Sequence, residues 1–254
     1  MNQFRIVIPA RYDSSRLPGK VLLEIAGKPM IQHVWERAVE SGASQIIIAT
    51  DSEKVTAVAQ KFGAKVCMTS VDCDSGTDRV AEVCAQLGWT DEIPVVNVQG
   101  DAPLIPPKSI QKVAALLLDN PAAAMSTLCV ALRNRDEYLD PNVVKVLFDQ
   151  AGKALYFSRA PIPASGHGNA AALPGKLGWR HLGLYGYRVN ALEKLSVTPP
   201  CELELTERLE QLRALWLGMS ILITVDDYAD APDVDTEDDL HKVEALLIKQ
   251  GLGT

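Results

Sequence analysis

Ile6-Val7-Ile8-Pro9-Ala10-Arg11-Tyr12-Asp13-Ser14-Ser15-Arg16-Leu17-Pro18-Gly19-Lys20 decides how the rest of this chain is read. Residues 4–8 form an apolar run of the length and composition of a buried strand. Pro9 has no N–H to give a sheet ladder, and the polar residues behind it favour solvent, so the strand ends there. The loop that follows carries three cations (Arg11, Arg16 and Lys20), hydroxyls at Ser14 and Ser15, and a Pro18-Gly19 turn. Open α/β sheets bind ligands beyond the carboxyl ends of their strands, which is where this loop leaves. A solvated basic loop is the plain alternative. Against it, positive charge gathers beside one apolar strand in a chain of net charge -7. Cations, hydroxyls and freed backbone N–H groups together suit a chain of phosphates. The loop matches neither the phosphate-binding G-x-x-x-x-G-K-[ST] pattern nor a G-x-G-x-x-G fingerprint.

Working outward, the first half alternates strand-like and helix-like segments. Residues 30–41 place Ile31, Val34, Trp35 and Ala38 at helical spacing, with Gly42 as a stop. Strands are predicted at 45–50, 65–69 and 94–98, and helices at 53–62, 75–87 and 109–118. Such alternation implies parallel strands joined by right-handed crossovers. The second half changes character, with strands predicted at 124–131, 143–149, 153–158 and 183–188. The second and third of these form an antiparallel hairpin turning at Gln150-Ala151-Gly152. Residues 164–178, rich in Gly, Ala and Ser, read as a mobile loop. A single helix is predicted over 202–217, a strand over 221–225 and a closing helix over 236–249. Thr236 is its N-cap, and Asp239 three positions on gives a variant capping box. With no linker between the halves, the expectation is one domain over 1–254.

Composition bounds the function. Hydrophobic residues make up 47% of the 254, enough for a sizeable core. A sequence pI near 5.2 argues against non-specific nucleic-acid binding, which needs a broad basic face. No apolar run is long enough to span a bilayer, and Arg5 and Pro9 interrupt the only stretch that could open a signal peptide. The five cysteines form no C-x-x-C pair and read as free thiols in a reducing cytoplasm.

Two carboxylates flank the basic loop in this reading. Asp101 ends Val98-Gln99-Gly100-Asp101, just past a strand, and Asp235 precedes the last helix. Either alone is an ordinary turn or cap residue. Together with phosphate oxygens they suit Mg²⁺, which keeps several waters and seldom has a full protein cage. Asp238 and Asp239 are first-turn carboxylates that complement the helix dipole.

The loop resembles the sugar-nucleotidyltransferase signature P-A-R-x-x-S-x-R-[LF]-P-x-K. The chain as a whole, from Ile6 to Leu240, resembles the cytidylyltransferases that activate 3-deoxy-manno-octulosonate (KDO). Ser75-Gly76-Thr77-Asp78-Arg79 is similar to the family's S-G-T-[DE]-R segment. Residues 154–159, 180–188 and 209–213 are similar to its A-L-Y-F-S-R, R-H-x-G-x-Y-x-Y-R and L-E-Q-L-R. The resemblance implies a Rossmann-like, mostly parallel sheet with an antiparallel extension for sugar binding and dimerisation: 1–120 mainly nucleotide-binding, 121–225 mainly sugar-binding and dimer-forming, and 226–254 carrying the metal aspartate and the closing helix. It implies transfer of CMP from CTP to KDO, for lipopolysaccharide assembly, by a cytoplasmic homodimer. In that reading Arg11, Ser14, Arg16 and Lys20 meet the triphosphate, Ser75, Gly76 and Arg79 the cytosine, and Asp101 and Asp235 the Mg²⁺. Gln99 is shared between nucleotide and sugar, and Arg159, His181, Tyr185, Glu210 and Gln211 line the sugar site. Two departures stand out: Ala102 where the family has glutamate in Q-G-D-E-P, and Pro163-Ala164-Ser165-Gly166 where it tends to read P-W-x-R-[DE]. The alternatives are a cytidylyltransferase for another sugar acid (an 8-amino analogue or a sialic acid), a nucleotide-sugar-dependent glycosyltransferase, and a catalytically silent binding protein.

Overall fold

The computed structural model describes residues 3–13, 17–164, 178–227 and 233–249. Ser14 and Arg16, and the loop expected at 164–178 apart from its two end residues, therefore lie outside the described residues. The elements in chain order are β1 (Arg5–Pro9), a 3-10 turn (Lys20–Leu22), β2 (Glu24–Ile25), β3 (Lys28–Pro29), α1 (Met30–Glu40), β4 (Gln45–Thr50), α2 (Glu53–Lys61), β5 (Lys65–Met68), α3 (Gly76–Gln86), β6 (Val95–Asn97), α4 (Pro107–Asp119), β7 (Met125–Ala131), α5 (Arg135–Leu139), β8 (Lys145–Phe148), β9 (Ala154–Ser158), β10 (Trp179–Tyr187), α6 (Val189–Val197), α7 (Glu202–Glu207), α8 (Gln211–Trp216), β11 (Ile221–Val225) and α9 (Glu237–Lys249).

β1 lies inside the sheet because its side chains are apolar on both faces. Ile6, Val7 and Ile8 are fully buried, each contributing about 1.5–3 kcal/mol of burial. Such continuous apolar runs mark strands covered on both sides. The sheet runs β11-β7-β10-β6-β1-β4-β5. β1 pairs in parallel with β4 and β6, β4 with β5, and β7 with β11, while β10 is antiparallel to β6 and β7. The hairpin β8–β9 branches from β10 through the pair Trp179↔Val146. The predicted parallel sheet with an antiparallel extension is what the chain forms.

Two apolar layers cover the sheet. One gathers Val7, Val80, Val83, Phe157, Leu192 and Leu212, from the α3, α6 and α8 side. The other gathers Ile6, Ile8, Ile31, Val34, Val55 and Ile110, from the α1, α2 and α4 side. A third, smaller cluster joins Ile25, Met30 and Leu104 to Val234, Val243 and Leu247, so α9 seals against the β2–β3 hairpin near the front of the chain.

One predicted element is corrected. The single helix expected over 202–217 is two, broken where Arg208 takes the left-handed conformation at φ 52°. The leucine periodicity is real, but it spans a kink that turns Glu210 and Gln211 towards the sheet. α5 and α6 were not anticipated, and β10 begins four residues earlier than predicted.

Candidate active site

The carboxyl ends of β1, β4, β5 and β6 open onto one edge. Gly100 lets the β1 and β6 loops touch there, since a Cβ on it would stand 2.6 Å from the Pro9 carbonyl oxygen. Gly19, at φ 68°, turns the chain into the 3-10 helix that presents Lys20. Lys20 Nζ donates to Asp101 Oδ2 at 2.7 Å and to Asp235 Oδ1 at 3.2 Å. Burial works to lower its pKa, but hydrogen bonds and charge from Asp101 and then Asp235 outweigh it and hold the ammonium above its usual range. The Val234 N–H donates to the Asp101 carbonyl at 2.9 Å, which ties the two aspartate segments together. The two aspartates and Lys20 thus meet, although they come from positions 81 and 215 residues apart.

Asp233 joins this corner. Its carboxyl is pushed up to about 7, by burial first and then by the like charges of Asp101 and Asp235, with Lys20 and Arg180 opposing. Asp233 stands at the exposed rim of this corner, with Asp101 and Asp235 crowding its carboxyl. Among the described residues no group of three or more His, Cys, Asp or Glu has a metal-holding arrangement. A cation here would take the two carboxylates that already converge on an ammonium, and complete its shell with water and phosphate oxygens. That hard, incomplete oxygen set fits Mg²⁺.

Arg11 donates to the Cys73 carbonyl, which draws the basic loop to the segment before α3. Ser75 caps α3 in a reciprocal box: its hydroxyl accepts from the Asp78 N–H at 3.1 Å, and Asp78 Oδ2 accepts from the Ser75 N–H at 2.9 Å. Gly76 follows, and a Cβ there would meet Pro9, Gln99 and Asn97 only at ordinary contact distances. No protein packing demands a glycine at that point. Arg79, expected beside the base, is fully buried and donates to Asp51 Oδ2 at 2.7 Å and to the Thr69 hydroxyl. Its guanidinium ties together the ends of β4 and β5. The reason is helical phase: three residues past Gly76, the side chain points under the sheet edge.

The residues expected around the sugar come from the loop after β6, the end of β9, β10 and the start of α8. A cavity is lined by Asn97, Gln99, Tyr185, Tyr187, Glu210 and Gln211, with Gly76 and Thr77 at the α3 end. Burial raises the Glu210 carboxyl pKa, partly offset by a hydrogen bond from Thr77. Burial, with Tyr187 and Glu210 adding, holds the Tyr185 phenol well above its ordinary range. His181 lies next to this group. Its ring meets Phe157 edge-on and Tyr185 at a tilt, with centroids 5.0 and 5.2 Å away. His181 Nε2 is 2.9 Å from Thr127 Oγ1, which donates to the Leu184 carbonyl, so the imidazole is the donor. Burial pushes its pKa down to about 3.

Arg159 sits at the end of β9 and is held at several points. Its Nε donates to the Glu207 carbonyl at 2.7 Å, its Nη1 to the Pro141 carbonyl at 3.0 Å, and its N–H to the Glu207 carboxylate at 2.9 Å. The buried Lys145 ammonium takes the Arg159 carbonyl at 2.6 Å, along with those of Asp140 and Val143. A two-pronged grip on a ligand carboxylate therefore requires Arg159 to share or release one carbonyl. A second cavity, beside the corner that holds Asp233, is lined by Gln99, Ala102, Ser109, Arg180 and Asp233, so the departure at 102 faces open space.

Sequence reasoning missed Asn97, Thr77, Glu207 and Asp233. Asn97 was legible, being two residues before Gln99 in a strand and hence on the same face. Asp233-Val234-Asp235 is a D-x-D pattern that went unused. Thr77 and Glu207 carried no signal beyond ordinary helix residues.

Comparison with known proteins agrees with this geometry. Residues 5–221 match the family model described as cytidylyltransferase. A 3-deoxy-manno-octulosonate cytidylyltransferase of Thioalkalivibrio sulfidiphilus is 50% identical over 246 residues, covering 96% of this chain and 98% of that protein. Its namesake from Nitrosococcus oceani is 47% identical, covering 97% of each. Among solved structures, CMP:2-keto-3-deoxy-manno-octonic acid synthetase complexed with CTP superposes with a TM-score of 0.90 at 42% identity, over 98% of this chain and 99% of that one. A cytidylyltransferase from Leptospira borgpetersenii, at 16% identity and a TM-score of 0.64, shares the fold. A basic loop, a paired-aspartate corner and a capped helix on one sheet edge, carried by a chain alike over nearly its whole length to these enzymes, place it in the cytidylyltransferase family.

Proposed function

We propose that this chain transfers CMP from CTP to KDO, forming CMP-KDO and pyrophosphate and so activating KDO for lipopolysaccharide assembly. The observation that carries the reading is the corner where Lys20 bridges Asp101 and Asp235, Asp101 lying two residues along the chain from Gln99 in the lining of the polar cavity. The anomeric hydroxyl attacks the α-phosphorus, gives up its proton, and the bond from that phosphorus to the pyrophosphate oxygen breaks. No covalent enzyme intermediate is needed, so the protein contributes position and charge. Arg11 and Lys20 bring positive charge to the phosphates, and Arg16 belongs with them on the family resemblance. Ser75 and Gly76 open the face for the cytosine. Arg159 is assigned to the sugar carboxylate, and Gln99, Tyr185, Glu210 and Gln211 to its hydroxyls, with His181 behind Tyr185. Asp101 and Asp235 would hold Mg²⁺, whose contribution when bound is to neutralise charge building on the phosphate oxygens.

The reading extends to a cytoplasmic homodimer. Five buried, unpaired cysteines support a reducing compartment, and among the described residues no helix is long and apolar enough to cross a membrane. Exposed Leu155, Leu203, Leu205 and Trp216, on elements that pack together, support association with a second copy. The test is pyrophosphate release from CTP, ATP, GTP and UTP, with KDO, 8-amino-KDO or a sialic acid and with Mg²⁺ present or chelated. CTP with KDO should lead by a wide margin, and chelation should abolish turnover. Equal turnover with ATP, or a preference for a sialic acid, would sink the assignment.

A further inference from the structure

Two polar atoms in the cavity between β6, β10 and α8 are buried with no hydrogen-bond partner among the described residues: Asn97 Oδ1 and the Tyr185 hydroxyl. Native interiors rarely leave such atoms dry. Asn97 is only 2% exposed, so solvent does not satisfy it. The two are not strays from different corners. Asn97 pairs directly with Tyr185 across the β6–β10 ladder, so both side chains rise from neighbouring strands on the same face. The register of β10 shifts between Leu182 and Tyr185, just ahead of the tyrosine, and irregularities of this kind re-aim side chains beside sites.

Their neighbours are satisfied, which makes the contrast informative. Thr77 hydrogen-bonds both Tyr187 and Glu210. None of the residues lining the cavity is Lys, Arg or His, so it is not built for a phosphate or a carboxylate. Met125, Leu195 and the Tyr187 ring give it apolar walls. An amide oxygen can only accept, while a phenol both donates and accepts. A carbon chain bearing neutral hydroxyls, with C–H faces against the apolar walls, matches that set.

We infer that Asn97, set beside the Tyr185 already assigned to the sugar, completes a hydroxyl-reading pair and is itself a determinant of sugar affinity. The inference deepens the reaction proposed above and rests on it. A site built to bond a hydroxyl discriminates strongly against a ligand that lacks it.

The experiment measures KM for KDO and for CTP, and the thermal midpoint, in Asn97→Leu and Tyr185→Phe. Pyrophosphate release by the unmodified chain tests the reaction on its own, and the ratio of variant to unmodified chain tests the pair. Each variant should raise KM for KDO about tenfold or more and leave KM for CTP within about twofold. Since each change removes an unmatched buried polar atom, the thermal midpoint should hold or rise. A midpoint that falls while both KM values stay put makes Asn97 purely structural and overturns the inference. A rise confined to the CTP value overturns it as well, by moving the pair to the nucleotide. If Asn97→Leu fails to fold, Asn97→Ala, which removes the amide without adding bulk, decides the question by the same pair of KM values.

Discussion

At the scale of single residues, arginines expected at the ligand are also ties within the protein. Arg79 is spent on Asp51 and Thr69, while Arg159 is cradled by carbonyls at a strand end. Residue type and motif position were legible in the sequence, but the direction of each guanidinium was not, because that depends on helical phase and on carbonyls supplied from far along the chain. Arg159→Lys keeps the charge and loses the planar fork. KM for the sugar should rise roughly tenfold in pyrophosphate-release assays while CTP binding is nearly unchanged. Loss of CTP affinity alone would assign Arg159 to the nucleotide. His181 makes a second prediction, with a sign. Its folded pKa near 3 lies below the ordinary value near 6.5, so on acidification the unfolded chain takes a proton that the folded chain refuses. Stability is fully present above about pH 6.5 and is lost from there towards pH 3, by at most about 1.4 kcal/mol per pH unit from this group. Urea midpoints at pH 7, 6 and 5 should fall less steeply in His181→Gln than in the unmodified chain. Parallel slopes would show that His181 does not titrate this way.

At the scale of elements, the strands and most helices were legible because the sheet is buried on both faces and reads as apolar runs between polar stops. What the pattern hid was the break at Arg208. A left-handed residue between two short helices leaves leucine spacing intact, so periodicity alone joins them. That break places Glu210 and Gln211 in the cavity, so the part of the fold least visible in sequence is one the site needs. The contact between β1 and the loop after β6 is a further case. Gly100→Ala would put a methyl 2.6 Å from the Pro9 carbonyl oxygen, and backbone must move to admit it. We expect about 1–3 kcal/mol of destabilisation by urea titration, and a larger proportional fall in kcat, because Asp101 is the next residue. Unchanged kcat would mean that the two loops can separate without disturbing the corner.

At the scale of the whole molecule, α7, α8 and β9 leave large apolar side chains in solvent, with Leu205 64% and Trp216 61% exposed. Exposed apolar surface on adjacent elements is where the proposed homodimer would form. Leu205→Glu should convert a dimer to a monomer in sedimentation analysis without lowering the thermal midpoint appreciably, and a wild-type chain that already sediments as a monomer would remove the proposal. The same scale governs when the phosphate corner can exist. Lys20 comes near the start of the chain, while Asp235 and the α9 residues that seal it beneath Ile25 come near the end. A ribosome adding about 5–20 residues per second leaves Lys20 waiting roughly 10–40 s for that partner, while β1, β4 and β5 can already pair. The nascent chain thus passes through a stage with most of its sheet and an open corner, and becomes competent only once Asp235 and α9 have been added. A chain ended after residue 227 should give a folded-sheet circular dichroism spectrum and no turnover. Turnover by that shortened chain would show that the corner closes without its last strut.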